Sequence, residues 1–127
     1  GEVHDMVDPT DYKAIVDNID RELKLAIKDW EAGKKYVSRK RALMATTKHF
    51  AGGGLKGALE KSFSEKRAQG LEDKLDDIRK MISGIGVEAK SATGNSLRQK
   101  VAFIVAQLRV NVQELEARLN PSPVKLK

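Results

Sequence analysis

Few side chains in this sequence are suited to acid–base or nucleophilic chemistry. The histidines are His4 and His49, and the hydroxyls close to His49 along the chain are those of Thr46 and Thr47. A histidine that acts as a general base needs a nucleophile or a carboxylate within hydrogen-bond reach. His49 follows a basic stretch at an expected helix end, where a cation interacts favourably with exposed carbonyls. We therefore predict no catalytic site and no enzymatic activity.

A run of acids within residues 72–77 is the best candidate for binding a divalent cation. Lys74, Arg79 and Lys80 lie among or directly after these acids, which favours a solvated helix face over a metal site. The chain has no cysteine, so thiolate metal ligands and disulfides are excluded. We predict no metal and no cofactor. The acids concerned are Glu72, Asp73, Asp76 and Asp77.

Residues 52–57, with the sequence Gly-Gly-Gly-Leu-Lys-Gly, contain the strongest helix-breaking signal in the chain. Glycine amides before a helix can cradle a phosphate. This run lacks the Gly-Lys-Ser/Thr ending of a P-loop, and the sequence predicts no strand before it. The run therefore predicts a tight loop or flexible connector, and no nucleotide or other small-molecule substrate is indicated.

Basic side chains are concentrated in a part of the chain, residues 32–59, that contains no acid. On one continuous helix Lys34, Arg41 and Lys48 repeat every seven residues and lie on one flank. Such a row can neutralise the phosphates of nucleic acid or of lipid headgroups. We call the following seven residues the basic block and predict that they contact an anionic partner: Lys34, Lys35, Arg39, Lys40, Arg41, Lys48 and Lys56.

An alternative interpretation of the basic block needs no partner. The next predicted helix is rich in acids, and an antiparallel neighbour can place them opposite the basic residues. In that case the charges pair within the bundle. The acids that we expect to take part are Glu65, Glu72, Asp73 and Asp76.

Apolar residues recur at alternating spacings of three and four, which is typical of helices that pack lengthwise. This spacing predicts helices over residues 9–50, 55–88 and 96–119, followed by a tail over 120–127. Asp8 is the expected first cap, and Gly33 can split the first helix to give a fourth. Continuing the first apolar row past Trp30 predicts that Val37 and Met44 face the core.

The last predicted helix carries the most apolar run of the chain. Residues 101–106 are apolar on every side, which predicts the most buried helix of the fold. Ser96 and Gln99 have the spacing of a capping box at its start. With 127 residues and no candidate strand, the sequence predicts a single all-α domain, an up-down bundle of three or four helices. The start at Gly1, which is not a methionine, predicts a domain excised from a larger protein.

Two functions fit a charged helical bundle for which no catalytic site is predicted. The first is a non-enzymatic interaction module that binds a protein partner or a second copy of itself through helix faces. The second is binding of an anionic surface through residues 34–56. Acidic lipid is favoured over nucleic acid because only Tyr36 and Phe50 lie near the block to stack on bases. The absence of cysteine predicts an intracellular location, and lipid binding would make it peripheral to a membrane.

Overall fold

A computed structural model describes residues 9–120 of the chain. Within that range the chain forms helices and no strand, which confirms the all-α helical bundle. Asp8, His4 and the predicted tail after Asn120 lie outside the described residues. The helices are α1 (Tyr12–Glu31), α2 (Lys35–Met44), which continues as a π-helical turn (Ala45–Ala51), α3 (Leu55–Ser62), α4 (Glu65–Ile82), a 3₁₀ turn (Val87–Ser91) and α5 (Gly94–Leu119).

A side-chain cap begins helix α1, and backbone hydrogen bonds end it. The Asp11 carboxylate accepts a hydrogen bond from the Ala14 N–H at 3.0 Å, so the helix starts three residues later than predicted. At the other end Gly33 has φ +79°. Its N–H donates to the Trp30 carbonyl, and the Lys34 N–H donates to the Asp29 carbonyl. These two bonds form a Schellman motif, which ends α1 and splits the first predicted helix at Gly33.

The turn at Gly33 also makes the predicted core face of α2 wrong. Val37 is 40% exposed, and Met44 is only half-buried. The prediction extends the apolar spacing of α1 across Gly33. Because α2 begins as a new helix after Gly33, its residues face other directions than that spacing implies. The buried face of α2 consists of small residues, and the Ser38 hydroxyl donates to the Ala26 carbonyl of α1 at 2.7 Å. Small side chains allow α2 to lie close against α1; they are Ser38, Ala42 and Ala45.

The second predicted helix is two helices, because a cap interrupts it at Ser64. The Ser64 hydroxyl accepts a hydrogen bond from the Arg67 N–H at 3.0 Å, which starts α4. The half-buried Phe63 ring lies between two guanidinium groups, 4.0 Å from Arg67 and 4.5 Å from Arg118. The apolar spacing of three and four along this helix predicts Ile85 as the last member of its inward row, but α4 ends at Ile82 and Ile85 is 51% exposed.

Helix α5 starts earlier than predicted and uses a different capping box. The Thr93 hydroxyl accepts from the Ser96 N–H at 3.0 Å, and the Ser96 hydroxyl accepts from the Thr93 N–H at 2.9 Å. Ser96 is therefore the third helical residue and not the cap. The predicted box of Ser96 with Gln99 is wrong by three residues, because serine at this position can make the reciprocal bond that we assigned to glutamine.

The core is mainly aliphatic and combines buried residues of α1, α3, α4 and α5 with Phe50 of the π-helical turn. Ion pairs between Asp17 and Arg109, at 3.0 Å, and between Lys13 and Glu116, at 3.8 Å, show that α1 and α5 are antiparallel. Trp30 is half-buried and packs against the core, in line with its predicted place in the apolar row. The apolar spacing predicts an inward row on α5 of Leu97, Val101, Ile104, Leu108, Leu115 and Leu119. The first five are fully buried, whereas Leu119, at the end of the helix, is 38% exposed.

The prediction that α5 is the most buried helix is wrong. Only one face of its apolar run is covered. On the opposite face Phe103 is 61% exposed and Val110 is 52% exposed, and Ala102 and Ala106 are exposed between them. The all-round apolar pattern therefore reflects two apolar faces, of which the bundle covers one.

Candidate functional site

The outer surface of α2 carries most of the basic block. Its inner face is fixed by Ser38 and Ala42, so residues 36, 40, 43 and 47 point away from the bundle at spacings of four, three and four. Lys40 lies at the centre of this outer face with Arg39 one position before it, whereas Lys35 lies at the start of α2, nearer the side of Ser38 and Ala42. All three basic residues are exposed.

Two members of the basic block are paired inside the bundle. Arg41 donates to the Glu22 carboxylate at 3.0 Å and to the Asp29 carboxylate at 2.9 Å, both on α1. These hydrogen bonds raise the pKa of Arg41 above its ordinary value, the bond to Glu22 most of all. Lys56 donates to Glu72 on α4 at 3.0 Å, and this bond raises the pKa of Lys56.

Five members of the basic block have exposed side chains with no hydrogen bond or ion pair to any residue between 9 and 120. Of the predicted pairs between the basic block and the acids of α4, the one present among residues 9–120 is Lys56 with Glu72. Asp73 accepts from Gln69, and Asp76 accepts from Arg79. The block is therefore divided into two paired and five unpaired cations, and the unpaired ones are Lys34, Lys35, Arg39, Lys40 and Lys48.

Large apolar side chains lie among the unpaired cations. Tyr36 is 70% exposed and Leu43 is 47% exposed, and Val37 is next to them. This combination was not predicted from the sequence, because the apolar spacing places Val37 in the core and Tyr36 was considered only for stacking on bases. We call Tyr36, Val37, Leu43 and the five unpaired cations the α2 outer face.

The glycine run after the π-helical turn is a hydrogen-bonded corner. The Gly52 N–H donates to the Thr47 carbonyl at 2.9 Å, the Gly53 N–H to the His49 carbonyl and the Gly54 N–H to the Ala51 carbonyl. A Cβ atom at Gly53 would overlap the His49 carbonyl oxygen and meet Ile15 of α1 at 3.2 Å. These three amides are used within the backbone, so the run does not form a phosphate cradle.

His49 has no catalytic geometry around it. Its Nε2 lies 3.8 Å from the nearest Glu22 oxygen, beyond hydrogen-bond distance. The Thr47 hydroxyl donates to the Leu43 carbonyl, and the buried Thr46 hydroxyl has no partner among the described residues. No group of three metal-binding side chains occurs between residues 9 and 120.

A second candidate surface runs along α5, and we call it the α5 stripe: Ala102, Phe103, Ala106 and Val110. A groove of about 470 Å³ follows it on the α4 side, where Lys66, Arg67 and Lys74 form the rim. Lys74 donates to Gln107 at 2.8 Å, and its ammonium lies 5.5 Å from the centre of the Phe103 ring. The sequence signal was present, because Phe103 and Val110 are seven residues apart.

The other side of the α5 stripe faces α1 across a wider groove of about 800 Å³. Two carboxylates line it, and each is held by a neighbouring cation: Asp20 by Lys24 at 3.1 Å, and Glu31 by Arg98. Lys28 is exposed at the same rim, and no described residue pairs with its side chain. The stripe is therefore an apolar strip between two cationic rims.

Comparison with protein-family models, with curated proteins and with solved structures finds no match to this chain. Among the helices between residues 9 and 120, none is long and apolar enough to cross a membrane.

Proposed function

We propose that this chain is a non-enzymatic helical interaction module that binds a protein partner through the α5 stripe. The observation that carries the proposal is the exposure of Phe103 and Val110 on a helix whose opposite face is fully buried. An exposed phenylalanine in a contiguous apolar strip is typical of a binding surface, whereas single exposed apolar residues are common everywhere.

The packing of α5 supports this proposal. Ile104 and Leu108 hold the helix in the core, and Thr93 and Ser96 cap its start. The stripe is therefore presented on a rigid element, so a partner would not have to order a loop on binding. Ala102 and Ala106 are small, which leaves room for side chains of a second helix to lie close to the α5 backbone.

The test uses sedimentation velocity together with fluorescence anisotropy on the full chain. The probes are three labelled amphipathic helical peptides that share one apolar face and carry acidic, neutral or basic border residues. We expect at least one peptide to bind the wild type, and Phe103→Glu to abolish that binding because it places a charge in the strip. Self-association that Phe103→Glu abolishes would equally support an interaction module.

A matched control is Val87→Glu, because Val87 is 85% exposed and belongs to neither surface. It should bind as the wild type does. A monomeric wild type that binds none of the peptides would contradict the proposal, as would equal loss of binding in Val87→Glu.

The α2 outer face supports a second candidate function, peripheral binding to acidic lipid. Unpaired cations attract anionic headgroups, each basic residue contributing about 1 kcal/mol near the surface. Tyr36, Val37 and Leu43 supply apolar groups of the kind that insert at the headgroup boundary. Base stacking would need more than one exposed aromatic here, so lipid is favoured over nucleic acid.

Co-sedimentation with vesicles containing phosphatidylserine tests this second function. A variant with Lys34, Lys35, Arg39 and Lys40 changed to glutamate keeps Arg41 and its ion pairs. We expect the wild type to bind at low salt and to dissociate at high salt, because screening shortens the attraction to about 10 Å at 0.1 M. The variant should not bind.

The control variant reverses four other exposed cations and so has the same net charge. Vesicle binding that falls equally in both variants would show a general charge effect and contradict a site on α2. Salt-sensitive binding to short RNA or DNA in place of vesicles would contradict the choice of lipid. The four control positions are Lys28, Lys61, Lys66 and Lys90.

A further inference from the structure

We infer that the α5 stripe and its two grooves accept one acidic amphipathic α-helix from a different protein. This inference rests on the proposed function and specifies the chemistry of the partner. The first observation is geometric. Gln99 and Gln113 extend the stripe at its two ends, so an exposed strip about 21 Å long follows one face of α5. Four turns of a second helix match that length.

The second observation is the charge of the rims. Lys66, Arg67 and Lys74 border the α4 groove beside Ala106 and Val110, and its lining contains no carboxylate. Beyond Phe103 the same border continues with Lys74, Lys100 and one exposed carboxylate, Asp77, so cations outnumber carboxylates along it. Arg67 is already bound to Glu114 and to Asn111, whereas Lys66 has no side-chain partner among residues 9–120. Lys74 makes only neutral and ring contacts. Lys66 and Lys74 are therefore available to carboxylates of a partner.

On the α1 side Lys28 is available in the same way. The two lining carboxylates, Asp20 and Glu31, are each held by a cation of the bundle. A partner helix thus meets apolar groups along its centre and unpaired cations on both borders. Leucine or phenylalanine at i, i+3 or i+4, and i+7, with glutamate or aspartate on both borders, complements this surface.

The same charges argue against a second copy of this chain as the occupant. In a two-fold dimer through the stripe, the rotation axis lies in the interface plane. Such an axis places α4 of one copy over α4 or α1 of the other. In both arrangements the cationic rims face each other, which opposes association.

The experiment compares the acidic, neutral and basic peptides, each about 18 residues long, on the full chain. We expect the acidic peptide to bind at least about tenfold more tightly than the basic one, and its affinity to fall with salt. Lys66→Glu/Lys74→Glu should weaken the acidic peptide by about tenfold and improve the basic one. The control Lys61→Glu/Lys90→Glu has the same net charge and should leave both affinities unchanged.

Several results would overturn the inference. Phe103-dependent binding of all three peptides with equal affinity would retain the interaction module and exclude an acidic partner. No binding of any peptide by a monomeric chain would exclude both proposals. A stripe-dependent dimer in sedimentation would make the occupant a second copy. Tighter peptide binding after deletion of residues 1–8, which include Glu2 and Asp5, would make the occupant this chain's own N-terminal segment.

Discussion

The α2 outer face and the α5 stripe both expose large apolar side chains, but they place charge differently. On α2 the cations lie on the same helix as Tyr36 and Leu43, and they have no partners among the described residues. On α5 the apolar groups form a continuous strip, and the cations project from the neighbouring helices α1 and α4. Some cations at these rims already form ion pairs within the bundle, such as Lys24 with Asp20 and Arg67 with Glu114.

Each surface is suited to a different kind of partner. Unpaired charge on a convex helix attracts any anionic surface over long range and is weakened by salt. An apolar strip between grooves needs a partner of complementary shape, and its charged rims mainly select among partners. The core behind each surface also differs, because large aliphatic residues anchor α5 whereas small residues anchor α2.

The largest difference in the free energy of unfolding is expected between substitutions on the buried and on the exposed face of α5. Ile104→Ala removes a fully buried side chain and should lower the free energy of unfolding by about 2–5 kcal/mol. Phe103→Ala, one residue away, should change it by less than about 0.5 kcal/mol because the ring is 61% exposed. Urea unfolding of both variants measures the difference. Equal destabilisation would mean that the stripe is part of the core, and would remove it as a binding surface.

The next effect concerns the corner that positions α2 against α1. Gly53→Ala should destabilise the protein by about 1–3 kcal/mol, because the new methyl group overlaps the His49 carbonyl and crowds Ile15. Gly57→Ala is the matched control, since a Cβ there meets nothing within 4 Å and α3 gains helix propensity. Thermal unfolding should therefore shift in opposite directions. A neutral Gly53→Ala would contradict the tight corner and restore the flexible connector.

The all-α fold and many of the buried residues were predictable, because a helix with one buried aliphatic face has apolar residues at regular spacings of three and four. Leu97, Ile104 and Leu108 lie where their spacing placed them. The breaks were less predictable because they depend on single local bonds. Ser64 caps α4 through one hydroxyl, and the same residue type occurs inside helices as well.

The candidate surfaces were only partly predictable. The cationic character of α2 follows from composition, but the division into paired and unpaired cations depends on which acids of α1 lie opposite, as Glu22 and Asp29 do for Arg41. Two apolar faces on one helix produce the same pattern as one fully buried helix. Whether Phe103 or Ile104 is buried depends on where the neighbouring helices lie, which the sequence of α5 alone does not specify.

A third, smaller effect distinguishes the two kinds of cation on α2. Arg41→Gln removes a residue that donates to both Glu22 and Asp29, and should cost about 1 kcal/mol. Lys40→Gln, one residue before it, removes an unpaired charge and should change the free energy of unfolding by less than about 0.5 kcal/mol. Urea titration of the two variants at low salt makes the comparison. Equal losses would mean that Lys40 also pairs within the bundle, which would weaken the lipid-binding candidate.

The smallest effect is expected on α4, the helix that packs against both α2 and α5. Arg79 donates to Asp76 at 2.7 Å, and this hydrogen bond is the main cause of a pKa of Asp76 below its ordinary value. Lys80 lies 3.5 Å from the other oxygen and acts in the same direction. A carboxyl group with a lowered pKa in the folded state stabilises the fold above its unfolded pKa, and the contribution is lost as pH falls through the folded pKa.

Asp76→Asn should therefore be less stable than the wild type at neutral pH, by only about 0.5 kcal/mol because the side chain is 37% exposed. The two proteins should converge in acid, as the pH falls below the ordinary aspartate pKa of about 3.9 and through the lower pKa of Asp76 in the folded protein. Urea midpoints measured at intervals from neutral to acidic pH follow this convergence. Asp77→Asn, an exposed change on the same helix, should differ little from the wild type at any pH. A stability gap for Asp76→Asn that stayed constant into acid would assign the effect to packing of α4 and not to its ion pairs, and would therefore make α4 a purely apolar support for both surfaces.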